Sequence, residues 1–204
     1  MMQAIFFDFD GVLTTDPTGS YSTCRYAAKA AGVDEAAFTK AYRAYNRDLL
    51  LGKTTHAAIW PKVCAGLGVE LPYSLLIDSF LHTPLDEGIL TLVRRLKDAG
   101  YQTGMITDNK QDRIDCLVKR HHFETLFDAI LVSAAVGSGK DGRRIFEQAA
   151  AALSVPIKDC VFIDNQEKNL LVPRALGMKT VYFDHEKRDF PALIKALRQA
   201  GVLC

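Results

Sequence analysis

The sequence predicts an α/β protein, a doubly wound parallel sheet core interrupted by an inserted helical subdomain. Three observations carry this. An apolar run, Ile5-Phe6-Phe7, stands close to the N-terminus and ends in Asp8-Phe9-Asp10-Gly11. From Asp86 onward, helical and strand patterns alternate to the end of the chain. Between the two, roughly sixty residues from Tyr21 to Phe80 read as helix, far more than an ordinary βα connection needs.

The opening run reads as a buried central strand that gives way to a loop. Residues two apart on a strand point the same way, so Asp8 and Asp10 begin on one side and Phe7 and Phe9 on the other. Asp16-Pro17-Thr18-Gly19-Ser20 is a turn cluster, with Ser20 or Ser22 as the expected N-cap of a helix ending at Gly32. A second helix is expected from an Asp34 cap, with Phe38, Ala41, Tyr42, Tyr45 and Leu49 on one face before Gly52. A third, capped by Thr54 or Thr55, carries Ile59, Trp60 and Val63, and a fourth follows Pro72. Because this block starts directly after the first strand end, residues 16–82 are expected to form the inserted subdomain, with 1–15 and 83–204 as the core.

In the core, Asp86 to Ala99 has Ile89, Leu92, Val93 and Leu96 at helical spacing, closed by Gly100. Strands are expected at Tyr101–Ile106, Ala129–Val132, Val161–Ile163 and Thr180–Phe183. Helices are expected at Gln111–Lys119, Arg143–Leu153, Glu167–Leu176 and Asp189–Ala200. Such alternation makes a parallel, Rossmann-like sheet covered on both faces. Ligands bind at the C-terminal strand ends of such sheets, which directs attention to the residues after each strand.

Composition excludes several classes of function. Twenty-five Lys and Arg against 24 Asp and Glu leave no global field to attract nucleic acid or an acidic membrane, so an anionic substrate must be held locally. The cysteines Cys24, Cys64, Cys116, Cys160 and Cys204 stand forty or more positions apart with no CxxC, which argues for reduced thiols and a cytoplasmic protein. Met1-Met2-Gln3 lacks the basic region of a signal peptide, and no stretch approaches the ~18 apolar residues of a membrane span.

Two carboxylates at the mouth of an apolar strand are costly unless a divalent cation, a lysine or a shared proton relieves them. Thr107, before a helix, is either an ordinary N-cap or a hydroxyl that, with the backbone N–H groups of Asp108 and its neighbours, receives a phosphoryl oxygen. Gly137-Ser138-Gly139-Lys140 lacks the first glycine of a P-loop, which is Ala134, and has Asp141 where that motif needs a hydroxyl. Lys140 on this glycine-freed loop is a candidate cation for neutralising a phosphoryl group and Asp8, with Arg143 and Arg144 nearby as alternatives that on a helix are expected to face solvent. The fourth strand ends in Asp164-Asn165.

Asp8-Phe9-Asp10-Gly11-Val12-Leu13-Thr14, Thr107, Lys140 and Asp164-Asn165 together resemble, in order and position, the four motifs of the haloacid dehalogenase-like hydrolases. The block 16–82 is similar to that family's small helical cap in place, size and texture. The resemblance implies a phosphatase acting on a small phosphorylated metabolite, with Asp8 as nucleophile forming an aspartyl phosphate and Asp10 as general acid/base. It implies Thr107, Asp108 and Lys140 as phosphate-binding residues, and Mg²⁺ held by Asp8, the Asp10 carbonyl, and Asn165 or Asp164. The sequence departs from the family at Asn165, where a second acid is usual, and at Asp141, where proline commonly follows the lysine. Asp10-Gly11 is the phosphatase form rather than the dehalogenase form. A phosphomutase, a phosphonate hydrolase with Lys53 as candidate imine former, and a non-catalytic phosphate-sensing module remain as alternatives. Arg43, Arg47, Lys53 and His56 are possible contacts for a polar substrate. Tyr42, Tyr45 and Trp60 read first as core of the helical block.

Overall fold

The computed structural model describes residues 3–203. Met1, Met2 and Cys204 lie outside these, and with them the reading of the extreme N-terminus and one of the five thiols. The other four cysteines are free. Five strands, β1 (Ala4–Phe7), β2 (Gln102–Thr107), β3 (Ala129–Val132), β4 (Cys160–Asp164) and β5 (Lys179–Tyr182), form one parallel sheet in the order β3-β2-β1-β4-β5. The strand order reverses beside β1, so the crevice expected of a doubly wound sheet opens between the ends of β1 and β4.

Alternation along β1 explains why both faces are covered. Ile5 and Phe7 pack into one apolar cluster with Ile89, Val93 and Leu96 of α6 (Glu87–Asp98), Leu117 of α7 (Gln111–His121) and Leu197 of α11 (Phe190–Gln199). Ala4 and Phe6 pack into the other with Ile145 and Phe146 of α9 (Arg144–Ala152). Each fully buried Ile, Leu, Val or Phe contributes about 1.5–3 kcal/mol, and together they fix the register that aligns the strand ends.

The helical block comprises α1 (Gly19–Ala31), α2 (Glu35–Arg43), α3 (Asn46–Leu50), α4 (His56–Leu67) and α5 (Tyr73–Leu81). It has its own core, in which Phe38, Tyr42, Ile59, Trp60, Val63 and Phe80 are buried against one another. The chain leaves and re-enters the sheet layer side by side: Thr14 pairs with Leu85, Thr15 N–H donates to the Pro84 carbonyl at 3.0 Å, and Asp86 N–H donates to that of Leu13 at 2.9 Å.

Several local expectations are corrected. Thr18, not Ser20 or Ser22, caps α1; Ser22 instead donates to Asp16 Oδ2 at 2.8 Å. The helix expected from Asp34 through Leu49 breaks at Tyr45 (φ −107°, ψ 4°) and restarts as α3, which brings Asn46 and Leu50 to the crevice. Of the two threonines, Thr55 caps α4. Beyond β3 the loop contains a short helix α8 (Ser133–Val136), closed by Gly137 in the left-handed conformation. The segment expected as one helix over Glu167–Leu176 is a 3-10 turn, Glu167–Leu170, followed by α10 (Leu171–Ala175). Pro173 explains this, because it has no N–H to continue a ladder begun at Glu167. Among the described residues no helix is long and apolar enough to cross a membrane.

Candidate active site

Register places the first acid. Phe7 is level with Ile163 of β4, so Asp8 emerges beside Asp164 at the shared end of the two strands, its N–H donating to the Ile163 carbonyl at 2.8 Å. Its Oδ1 accepts from Phe9 N–H at 2.6 Å and lies 2.6 Å from Lys140 Nζ. Lys140, itself buried, also donates to Asp164 Oδ2 at 2.7 Å. Burial, and next the charge of Asp164, push the Asp8 carboxyl well above the usual range, with Lys140 opposing. Burial works against the Lys140 charge, but Asp8, Asp164 and Asp108 outweigh it and raise that pKa. Two carboxylates thus face one ammonium, an excess of negative charge that suits an additional cation.

The donor set separates the two candidate ligands after β4. Asp164 is occupied by protein: its oxygens accept from Lys140 Nζ, from Gln166 N–H at 2.7 Å and from Asn169 Nδ2 at 3.1 Å. Asn165 Oδ1 is buried with no hydrogen-bond partner. Of the pair, Asn165 therefore offers the open oxygen and Asp164 braces Lys140, against the option of Asp164 as direct ligand. A buried orphan oxygen near a carboxylate fits Mg²⁺, which takes hard oxygen donors. Gly11 makes the approach possible: its φ is +84°, and a Cβ there would lie 2.1 Å from Asn165 Nδ2.

Asp10 is placed differently from its partner. Arg113 Nη1 donates to Asp10 Oδ2 and Arg113 Nη2 to Oδ1, both at 2.9 Å, a bidentate pair, and Asn109 Nδ2 donates to Oδ2 at 2.8 Å. Arg113 is fully buried, reaches Thr83 Oγ1 at 3.2 Å and stacks over the Phe9 ring at 5.3 Å. Gly19, the first residue of α1, leaves room for this pair, since a Cβ there would come within 2.3 Å of Arg113 Nη1. Held in this way, Asp10 still lines the hollow that Asp8 faces.

Thr107 is buried at the end of β2, where its Oγ1 accepts from Asn109 Nδ2 at 3.2 Å. Asp108 holds the protein rather than a ligand with its side chain, Oδ1 accepting from Lys140 N–H at 3.0 Å, and burial raises its carboxyl pKa. Asp108 also lines the hollow. Asp8, Asp10, Thr107, Asp108 and Lys140 line one hollow of about 230 Å³, closed from the helical block by Ser20, Arg43, Asn46 and Leu50. A neighbouring cavity of about 390 Å³ shares Asp108 and Asn169 and extends to Leu51 and Ser133.

Other candidates fall elsewhere. His56 is fully buried, between Tyr42 Oη and Asp112, each 2.7 Å from a ring nitrogen, so it faces no substrate. Lys53 is exposed and outside the hollow, and Arg143 is turned to Glu147 at 3.2 Å. Tyr42 and Trp60 belong to the core of the helical block. Arg113 and Lys110, both at the start of α7, escape a reading by motif. The one signal for them was two cations in the first turn of a helix, where the dipole disfavours positive charge.

The chain matches the haloacid dehalogenase-like hydrolases over residues 2–177. A glyceraldehyde 3-phosphate phosphatase of Pyrococcus furiosus is 30% identical over 94 residues, 46% of this chain and 39% of the relative. A sesquiterpene phosphatase of Aspergillus oryzae is 26% identical over 117 residues, 55% of this chain and 60% of the relative. The chain thus spans less than two thirds of the length of these curated relatives. A HAD-like family hydrolase from Porphyromonas gingivalis shares the fold with a TM-score of 0.75 at 19% identity, covering 97% of this chain and 98% of its own. A HAD family enzyme of Bacteroides thetaiotaomicron, solved in complex with magnesium and inorganic phosphate, gives a TM-score of 0.74 at 15% identity, covering 95% and 99%. With the family match spanning most of the chain and the fold shared with these solved structures, the chain belongs to the haloacid dehalogenase-like hydrolases.

Proposed function

We propose that the protein is a Mg²⁺-dependent phosphatase that hydrolyses a small phosphorylated metabolite through an aspartyl phosphate on Asp8. One observation carries the reading: Asp8, with Oδ1 2.6 Å from Lys140 Nζ, shares a small hollow with Thr107 and Asp10, while Asn165, packed against Gly11, keeps a buried oxygen without a hydrogen-bond partner.

In this reading an Asp8 oxygen attacks phosphorus as the ester oxygen departs. Thr107 Oγ1 and Lys140 Nζ stabilise the charge on the equatorial oxygens. Asp10 protonates the leaving alkoxide and then takes a proton from the water that hydrolyses the acyl phosphate. Asp8 and Asn165 Oδ1 would hold Mg²⁺, which when bound offsets the repulsion between a carboxylate nucleophile and a phosphate dianion.

The bidentate hold of Arg113 on Asp10 and the neutral Asn165 favour one second reading, a phosphate-sensing module without turnover. A screen of small phosphate esters with and without Mg²⁺ separates the two. The phosphatase is expected to release phosphate only with Mg²⁺ and to lose at least about 10³-fold in rate as Asp8→Asn. No release from any ester, or unchanged rates for Asp8→Asn, would refute it.

A further inference from the structure

Beside the reacting groups a second buried lysine lines the hollow. Lys110 is 5% exposed, and its Nζ meets Ser20 Oγ at 3.2 Å and the Tyr42 ring at 5.7 Å. No carboxylate among the described residues forms an ion pair with it, since Asp10 is occupied by Arg113 and Asn109. Lys140, equally buried, has two carboxylates. Lysine is almost never buried to this degree without a partner, because the uncompensated charge is expensive. Burial first, and the Arg113 charge second, draw the Lys110 pKa down to about 8. The ammonium lies over the Tyr42 ring, and Lys110 lines the hollow that Asp8 and Arg43 also line.

We propose that Lys110, with Ser20 and Arg43, forms an anion seat beside the phosphoryl site, so that the substrate is a phosphomonoester bearing a second anionic group, carboxylate or phosphate, on a short carbon chain. The inference rests on the phosphatase reading above and names its substrate class. The ammonium and the hydroxyl donate to the second anion, and Arg43 on α2 closes over it from the helical block. A hollow of about 230 Å³ suits a short carbon chain between the two anions.

The test is a matched set of three-carbon phosphate esters ending in carboxylate, phosphate, hydroxyl or methyl. Wild-type kcat/KM is expected to be at least ~100-fold higher for the better of the two anionic esters than for either neutral one, and which anion wins identifies the group. Lys110→Met is expected to bring that ratio below about 5, and Ser20→Ala, which keeps the ammonium, to lower it several-fold. The serine variant keeps the test alive if the methionine variant fails to fold. Hydrolysis of all four esters at equal kcat/KM would overturn the anion seat and leave the phosphatase reading intact. Absence of any hydrolysis would overturn the phosphatase reading. Calorimetry on the Asp8→Asn protein would then decide the seat: the carboxylate ester must bind at least ~10-fold more tightly than propyl phosphate, and equal affinities would refute it.

Discussion

Three side chains at the start of α7 show how single residues shape this site. Lys110 faces the hollow, Asp112 faces His56 and Arg113 grips Asp10. Lys110 costs stability, and the sign follows from its direction of shift. Its pKa falls from 10.5 in the unfolded chain to about 8 in the fold, under burial and Arg113, with Asp10, Cys24 and Asp112 opposing. Below pH 8 both states carry the proton and the whole cost is present. Between about 8 and 10.5 the unfolded chain binds more proton, so this group makes stability rise with pH. Lys110→Met is therefore expected to raise the unfolding free energy at pH 7 by about 3 kcal/mol and to flatten that rise. Denaturant titrations from pH 7 to 10.5 check it, and a destabilised variant would show that the ammonium is better paired than its contacts indicate. The sequence displayed Asp8, Thr107 and Lys140 because each stands at or beyond a strand end and has its own chemical signature. It did not display Lys110 or Arg113, which look like ordinary surface cations until α7 is rotated into place.

At the scale of elements, the two crossings between sheet and helical block are clamped by the loop after β5. Arg188 Nε donates to Asp86 Oδ2 at 2.7 Å, while its Nη atoms donate to the carbonyls of Gly11, Val12 and Thr14 at 3.3, 2.9 and 3.2 Å. The residue holds a φ of 47°, a conformation that costs of order 1 kcal/mol and persists because these bonds over-determine it. Arg188→Ala is expected to remove about 2–4 kcal/mol, because three carbonyls and a mostly buried carboxylate lose their donor at once. Thermal unfolding measures this; a loss under 1 kcal/mol would mean that the Thr14–Leu85 pairing alone secures the crossings. Sequence periodicity found each strand and the long helices. It missed the break at Tyr45 and the division of Glu167–Ala175, where docking and a proline decide against a continuous ladder.

Across the whole molecule, the helical block has one apolar core and the sheet layer has one on each face, and the contact of His56 with Asp112 joins the block to α7. Asp112 on α7 accepts from its Nδ1, and Tyr42 Oη meets its Nε2. Asp112→Ala leaves a buried imidazole without that partner and is expected to lower protection of the α4 and α5 amides by about 1–2 kcal/mol while the central strands keep theirs. Hydrogen exchange reads this directly, and equal loss in both regions would show that they open as one unit. The sequence by itself determined the layer architecture, the order of strands and helices, and the acids, hydroxyl and lysine at strand ends, because these depend on periodicity and turn chemistry over a few residues. Only the tertiary structure decided which of those groups meet: that Asp10 turns to Arg113, that Asp164 braces Lys140 while Asn165 keeps an open oxygen, and that Lys110 is buried without a counter-charge. Each of these pairings joins positions far apart in the chain, and it is fixed by register, helix rotation and the docking of one core against another, which no local pattern encodes.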